Sequence, residues 1–162
     1  MGCATMDYIF SLREMPHAPL KFRAREFKAV GGGNAATAAV AIARLGGRAH
    51  LIARLGDDLI GDAILRELEG HGVDTSLVHR FPGCASSLSS ILIDETGERL
   101  IVSYFDAKIS HETGWLPQIP AGIDAVLPMP TGRRATWSCF AAPRLRASPP
   151  FWMPTCLRAL RI

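Results

Sequence analysis

Residues Gly31 to Asn34 read Gly-Gly-Gly-Asn and open straight into Ala-Ala-Thr-Ala-Ala-Val-Ala-Ile-Ala-Arg-Leu-Gly-Gly. This junction constrains the fold more than any other stretch. A loop with almost no side chains feeds a run of good helix formers, and Gly46-Gly47 supplies the stop. Without Cβ atoms the backbone N–H groups at the helix start, which carry partial positive charge, can lie directly against an oxygen-rich ligand.

The flanking segments set the class. Ala4 to Phe10 is a short apolar stretch with Asp7 in its middle, as expected of a strand end that carries a functional carboxylate. Lys21 to Val30 alternates Phe22, Ala24, Phe27 and Ala29 with Lys21, Arg23, Arg25 and Lys28, the pattern of a strand with one wet face, usually antiparallel. After the helix over 33–45, His50 to Leu55 reads as a strand closed by Gly56-Asp57-Asp58, and Leu59 to Glu69 as an amphipathic helix ended by Gly70 and Gly72. Ser76 to Phe81 reads as a third strand. Ser86 to Asp94 and Arg99 to Phe105 flank Glu95-Thr96-Gly97-Glu98 as a hairpin, and Asp124 to Leu127 begins another buried strand. This order predicts an α/β fold: a layered sheet with a small antiparallel β appendage.

Charge divides the chain in two. All 15 acidic residues precede Pro128, where 12 Lys and Arg leave a net charge of −3, whereas 128–162 holds six Arg and six Pro with no Lys, Asp or Glu. The scattered arginines form no helical stripe, which argues against a nucleic-acid arm. Cys3, Cys84, Cys139 and Cys156 lack zinc or disulfide-scaffold spacing, and no apolar run is long enough for a bilayer. The expectation is a cytoplasmic protein with no metal site, no membrane span and no nucleic-acid partner.

Gly31, Gly33 and Ala36 satisfy a Gly-x-Gly-x-x-Ala dinucleotide turn with Asp57 downstream, so a dinucleotide-binding oxidoreductase is one reading. The charged strand before the glycines speaks against it, because a Rossmann first strand is a buried apolar run. A different set of segments fits better. Gly-Cys-Ala-Thr-Met-Asp at 2–7, Gly-Gly-Asn at 32–34, Ala-Arg-Leu-Gly-Gly at 43–47, Arg-Leu-Gly-Asp-Asp-x-x-Gly at 54–61, Gly-Val-Asp-Thr at 72–75 and Asp-x-x-Gly-Glu-Arg at 94–99 stand in one order. In that order and spacing, residues 2–127 resemble the ribokinase-like (PfkB) family of ATP-dependent carbohydrate kinases, closest to its sulfofructose-kinase-like and fructokinase-like branch.

The resemblance implies a small-molecule sugar as substrate, with Asp7, Gly32, Gly33 and Asn34 around its hydroxyls. Strands near 7–30 and 86–105 would form a β lid through which two copies could pair, and Arg99 would meet the transferring phosphoryl group. Thr37 stands where many members carry a second amide, which leaves the sugar open. The plainer readings are caps for Asp7, Asp57 and Asp58, and cross-hairpin pairing of Arg99 with Glu95 or Glu98. ATP and Mg²⁺ are implied, yet the family's Gly-Ala-Gly-Asp segment, with its anion hole and catalytic base, has no counterpart here, and no Asp follows Asp124. No catalytic residue is therefore assigned.

A displaced reading frame over 128–138 permits Ala-Asp-Ala-Asp-Trp-Pro-Glu-Gly-Asp-Leu-Val, which continues the strand at 125–127. Residues 128–162 are accordingly expected to be an out-of-frame, poorly structured tail, and Met1-Gly2 an internal start. The expected product is an inactive N-terminal sugar-binding half of a kinase. The alternative is a non-catalytic fragment that acts through its lid.

Overall fold

The computed structural model describes residues 1–110 and 114–129. Expectations for 130–162, including most of the anticipated tail, lie outside the described residues. Among the described residues eight elements follow one another: β1 (Thr5–Ser11), β2 (Glu26–Gly32), α1 (Asn34–Arg44), β3 (Arg54–Gly56), α2 (Leu59–Gly70), β4 (His79–Phe81), β5 (Leu88–Ile93) and β6 (Arg99–Tyr104). The mixed α/β class expected from the sequence is the one observed.

The strands sort into a four-stranded sheet, β2-β1-β5-β6, and a parallel pair, β3-β4. In the larger sheet β1 runs antiparallel to β2 and parallel to β5, and β5 and β6 close the expected hairpin. β1 therefore lies in the same sheet as the lid strands. Its base is covered by helices: Ala4 and Met6 join Ala35, Ala36, Ala39, Leu51, Ala53, Leu55, Ile64 and Leu68 in one core. The alanines of α1 make this possible, since small residues let the helix backbone approach the strand closely. The far end of the sheet stands clear of that core, with Phe27 and Leu100 exposed, and the edge strand β6 also exposes Val102 and Tyr104 along its length.

Several strand expectations come out shorter than the patterning suggested. Of Lys21 to Val30 only the part from Glu26 on is strand, as β2, because residues 21–24 have no partner strand beside them among the described residues, and His50 to Leu55 and Ser76 to Phe81 shrink to β3 and β4. Leu51 and Ala53 are buried, yet before Arg54 the backbone makes an isolated parallel bridge, His50 with Asp74, and a bond to the first residue of β4. Leu51 N donates to Asp74 O at 2.9 Å and His79 N to Ala53 O at 2.9 Å, so only Arg54–Gly56 and His79–Phe81 form a ladder. Asp124 to Leu127 is not a strand. Its backbone bonds among the described residues run to residue 1, the terminal ammonium of Met1 donating to Leu127 O and Met129 N donating to Met1 O, each at 2.8 Å. Two bonds around one residue do not make a ladder. Among the described residues no helix is long and apolar enough to cross a membrane.

Candidate functional site

The end of β1 and the glycine run meet side by side. Antiparallel pairing sets Thr5 opposite Gly32 and Asp7 opposite Val30, and the two-residue period of a strand puts Thr5 and Asp7 on one face. A Cβ added at Gly32 would lie 2.8 Å from Asp7 Cγ, and closer still to its Oδ2. The half-buried Asp7 carboxylate thus rests on bare backbone. Gly33 has φ 91°, a conformation L side chains rarely adopt, and a Cβ there would stand 2.5 Å from Cys3 O. Both glycines are required by close approach, each to a different part of the N-terminal strand.

The start of α1 spends its donors internally. Ala35 N donates to Asn34 Oδ1 at 2.9 Å, Ala36 N to Cys3 O at 3.3 Å and Thr37 N to Gly33 O at 2.9 Å. Asn34 and Thr37 are exposed and lie one turn apart on this helix, beside the glycine turn. At α2, Asp58 caps the helix by accepting from Gly61 N at 2.8 Å. At both helix starts part of the N–H set that a triphosphate would need is already engaged, Ala35, Ala36 and Thr37 at α1 and Gly61 and Asp62 at α2. Among the described residues no group of three or more His, Cys, Asp or Glu could hold a metal ion.

The structure does not bring Arg99 to this cradle. Arg99 pairs with Ile93, and Ile93 with Ser11, four residues along β1 from Asp7. That is roughly 13 Å along the strand direction. It does not pair across its own hairpin with Glu95, whose carboxylate instead takes Arg25, near the outer end of the sheet. The plain reading of Gly56-Asp57-Asp58 does hold for Asp58. Its carboxylate accepts from Ser86 N at 2.9 Å and Ser86 Oγ at 2.6 Å as well as capping α2. Burial opposes its ionisation most, but these bonds and the nearby Arg80 charge outweigh it and hold its pKa below the ordinary carboxylate value. Arg80 in turn donates to Gly56 O and Asp62 Oδ1, each at 2.7 Å, and to Asp57 Oδ1 at 3.2 Å.

Sequence reasoning missed four features. Thr5 Oγ1 is buried with no hydrogen-bond partner among the described residues, on Asp7's own face. Strand alternation two residues before Asp7 was the available signal. Ser89, directly opposite Asp7 on β5, pairs with Ser103 on β6, and their hydroxyls are 3.2 Å apart, so a row of hydroxyls continues from the carboxylate. Cys3 sits close enough to Asp7 and Arg54 to feel both. Burial pushes its thiol pKa up, Asp7 adds to that and Arg54 opposes it. Finally, Glu67 reaches from α2 to Gly31 N, with both carboxylate oxygens accepting, at 2.9 and 2.8 Å. No local pattern signals that contact.

A carboxylate, unshielded backbone and hydroxyls converging at one strand end suit a ligand rich in paired hydroxyls. The profile of the pfkB family carbohydrate kinases matches residues 1–119, and the chain belongs to that family. It is similar to the ribokinase of Bacillus subtilis, with 31% identity over 102 residues, 63% of this chain and 35% of that one. Its fold is similar to that of a solved Agrobacterium tumefaciens protein assigned to the ribokinases, with TM-score 0.64 and 43% identity over 68% of this chain and 36% of that one. A Cryptococcus neoformans ribokinase solved in complex with ADP matches with TM-score 0.54 and 27% identity, covering 65% of this chain and 33% of that one. The chain spans about a third of the length of these relatives.

Proposed function

We propose that this chain is the sugar-binding part of an ATP-dependent carbohydrate kinase that phosphorylates a sugar hydroxyl. The observation that carries the reading is the Asp7 carboxylate lying against the bare backbone of Gly32. Asp7 accepts hydrogen bonds from two sugar hydroxyls. Gly32 and Gly33 let the ring approach the main chain, and Asn34 and Thr37 border it from α1. The ADP-bound relative supports ATP as the phosphoryl donor, with Mg²⁺ to neutralise its charge. Arg99 contacts the phosphoryl group only if the sheet's outer end moves inward on binding.

On this reading the sheet of β1, β2, β5 and β6 is a lid over the sugar, residues 1–127 form one unit with it, and 128–162 contribute nothing to the site. The protein works in the cytoplasm. Its exposed apolar lid residues Phe27, Val102 and Tyr104 support a second copy of the chain as partner. The base and nucleotide site are not assigned to any residue of this chain, so the 162 residues bind sugar without turning over ATP. Ribose, fructose and related ketoses titrated into the purified chain test the reading. Saturable binding with no ADP release is expected, and ATP turnover or binding of none of these sugars would overturn it. The second reading, a fragment that acts only through lid pairing, predicts self-association without sugar binding.

A further inference from the structure

Gly31 lies outside the cradle, yet it is held more firmly than its exposure suggests. Met6 N donates to Ser87 O at 3.1 Å, toward β5, so in the antiparallel Met6–Gly31 pair the Gly31 N–H points away from β1 and off the free edge of the sheet. An edge N–H normally faces water. Here it meets the half-buried Glu67 carboxylate, whose two oxygens accept it at 2.9 and 2.8 Å. A Cβ added to residue 31 would stand 3.0 Å from Glu67 Cδ and from both oxygens. The pair therefore needs both a carboxylate at 67 and a glycine at 31. Glu67 lies on α2, whose Ile64 and Leu68 are buried in the core, so the contact joins a core helix to the last residues of an edge strand.

We propose that Glu67 is a positioning residue for the sugar cradle. It fixes the backbone at Gly31 and thereby sets the path of Gly32 under Asp7 and of Gly33 against Cys3. The inference rests on the sugar-binding reading above and adds a residue of α2 to that site. A charge-assisted bond of this kind holds a strand end in one register where glycines alone would leave it many conformations.

The test uses the full 162-residue chain and its Glu67→Ala, Glu67→Gln and Gly31→Ala variants. NMR would follow the amides of residues 31–33, and ribose and fructose titrations would follow affinity. In Glu67→Ala the Gly31 amide is expected to exchange at least about tenfold faster, with shifted Gly32 and Gly33 resonances and a several-fold weaker sugar Kd. Glu67→Gln, which keeps one acceptor oxygen, is expected to recover part of both effects. Gly31→Ala, which displaces the carboxylate by contact, is expected to reproduce the loss. An unchanged Gly31 amide in Glu67→Ala overturns the proposal, as does undiminished affinity once that amide is freed. A wild-type chain that takes no sugar, while Glu67→Ala still frees Gly31 and shifts Gly32 and Gly33, refutes the sugar reading and supports the tether.

Discussion

Two neighbouring glycines offer a perturbation whose outcomes should separate cleanly. Alanine at Gly32 adds a Cβ 2.8 Å from Asp7 Cγ. Carbon atoms in contact prefer about 3.5–4.0 Å, so the carboxylate must withdraw by roughly 1 Å. Its far end can rotate and Gly32 has no positive φ, so the stability cost should stay within about 1 kcal/mol. Misplacing a binding group by about 1 Å can weaken its action up to a hundredfold, and a 10–100-fold rise in sugar Kd is expected, about 1.4–2.8 kcal/mol. Gly33→Ala differs in kind. Its φ of 91° costs an L residue about 1–3 kcal/mol, and the new Cβ meets backbone, Cys3 O at 2.5 Å and Ala4 Cα at 2.9 Å, which cannot swing aside. Overpacking adds about 1–3 kcal/mol more, enough to lower Tm by about 10 °C or beyond. Calorimetric titration with ribose or fructose, paired with thermal unfolding, reads both effects. Equal destabilisation by the two variants, or unchanged affinity in Gly32→Ala, would refute the geometry assigned to the cradle.

Thr5→Val replaces a buried hydroxyl that has no partner among the described residues with a methyl group, so Tm should rise by the equivalent of about 1 kcal/mol while sugar affinity falls severalfold; a fall in Tm would show that the hydroxyl is bonded within the protein. Asp58→Asn should cost about 1–3 kcal/mol in urea unfolding near pH 6, because an amide offers one oxygen where the carboxylate uses two, one for Gly61 N and one for Ser86 N. Because the folded pKa of Asp58 lies below its ordinary value, its contribution is complete above the unfolded pKa and is lost as pH falls through the folded one. The gap between wild type and variant should therefore narrow toward pH 3, and a gap that widens there would contradict the assignment. Val102→Glu, on the exposed lid face, should convert any dimer seen by sedimentation to monomer without changing sugar affinity; a dimer that persists would place the contact elsewhere.

The elements legible in the sequence were those dictated locally. The alanine run after Gly31–Gly33 gives α1, the spacing of Ile60, Ile64 and Leu68 gives α2, and Glu95 to Glu98 between two apolar runs gives the β5–β6 hairpin. Asp58 as a helix cap was equally readable, because capping depends only on the next few residues. What escaped depended on partners distant in sequence. Asp124 to Leu127 has strand-like composition, but among the described residues its backbone bonds only at residue 1, and composition says nothing about which segment will lie alongside. Arg99 shares a motif with the hairpin, yet register places it at the far end of the sheet. Thr5, Ser89 and Ser103 are ordinary strand residues until pairing aligns two of them with Asp7 and one two places from it. Glu67 reads as a solvated helix charge because its partner is a backbone N–H 36 residues away. Asp7 and the glycines were recognisable because the chain brings them together through a single antiparallel pairing.

If Asp7 and the Gly32–Gly33 backbone together grip a sugar, amide NMR of the 162-residue chain titrated with ribose and with fructose reads that grip residue by residue. Saturable shifts are expected, concentrated at Thr5, Asp7, Gly32, Gly33 and Asn34, with affinity weakened at least about tenfold in Asp7→Asn, whose single uncharged oxygen accepts more weakly than the two of a carboxylate. Sugar-induced shifts centred on another part of the chain, or equal binding by Asp7→Asn, would contradict such a grip.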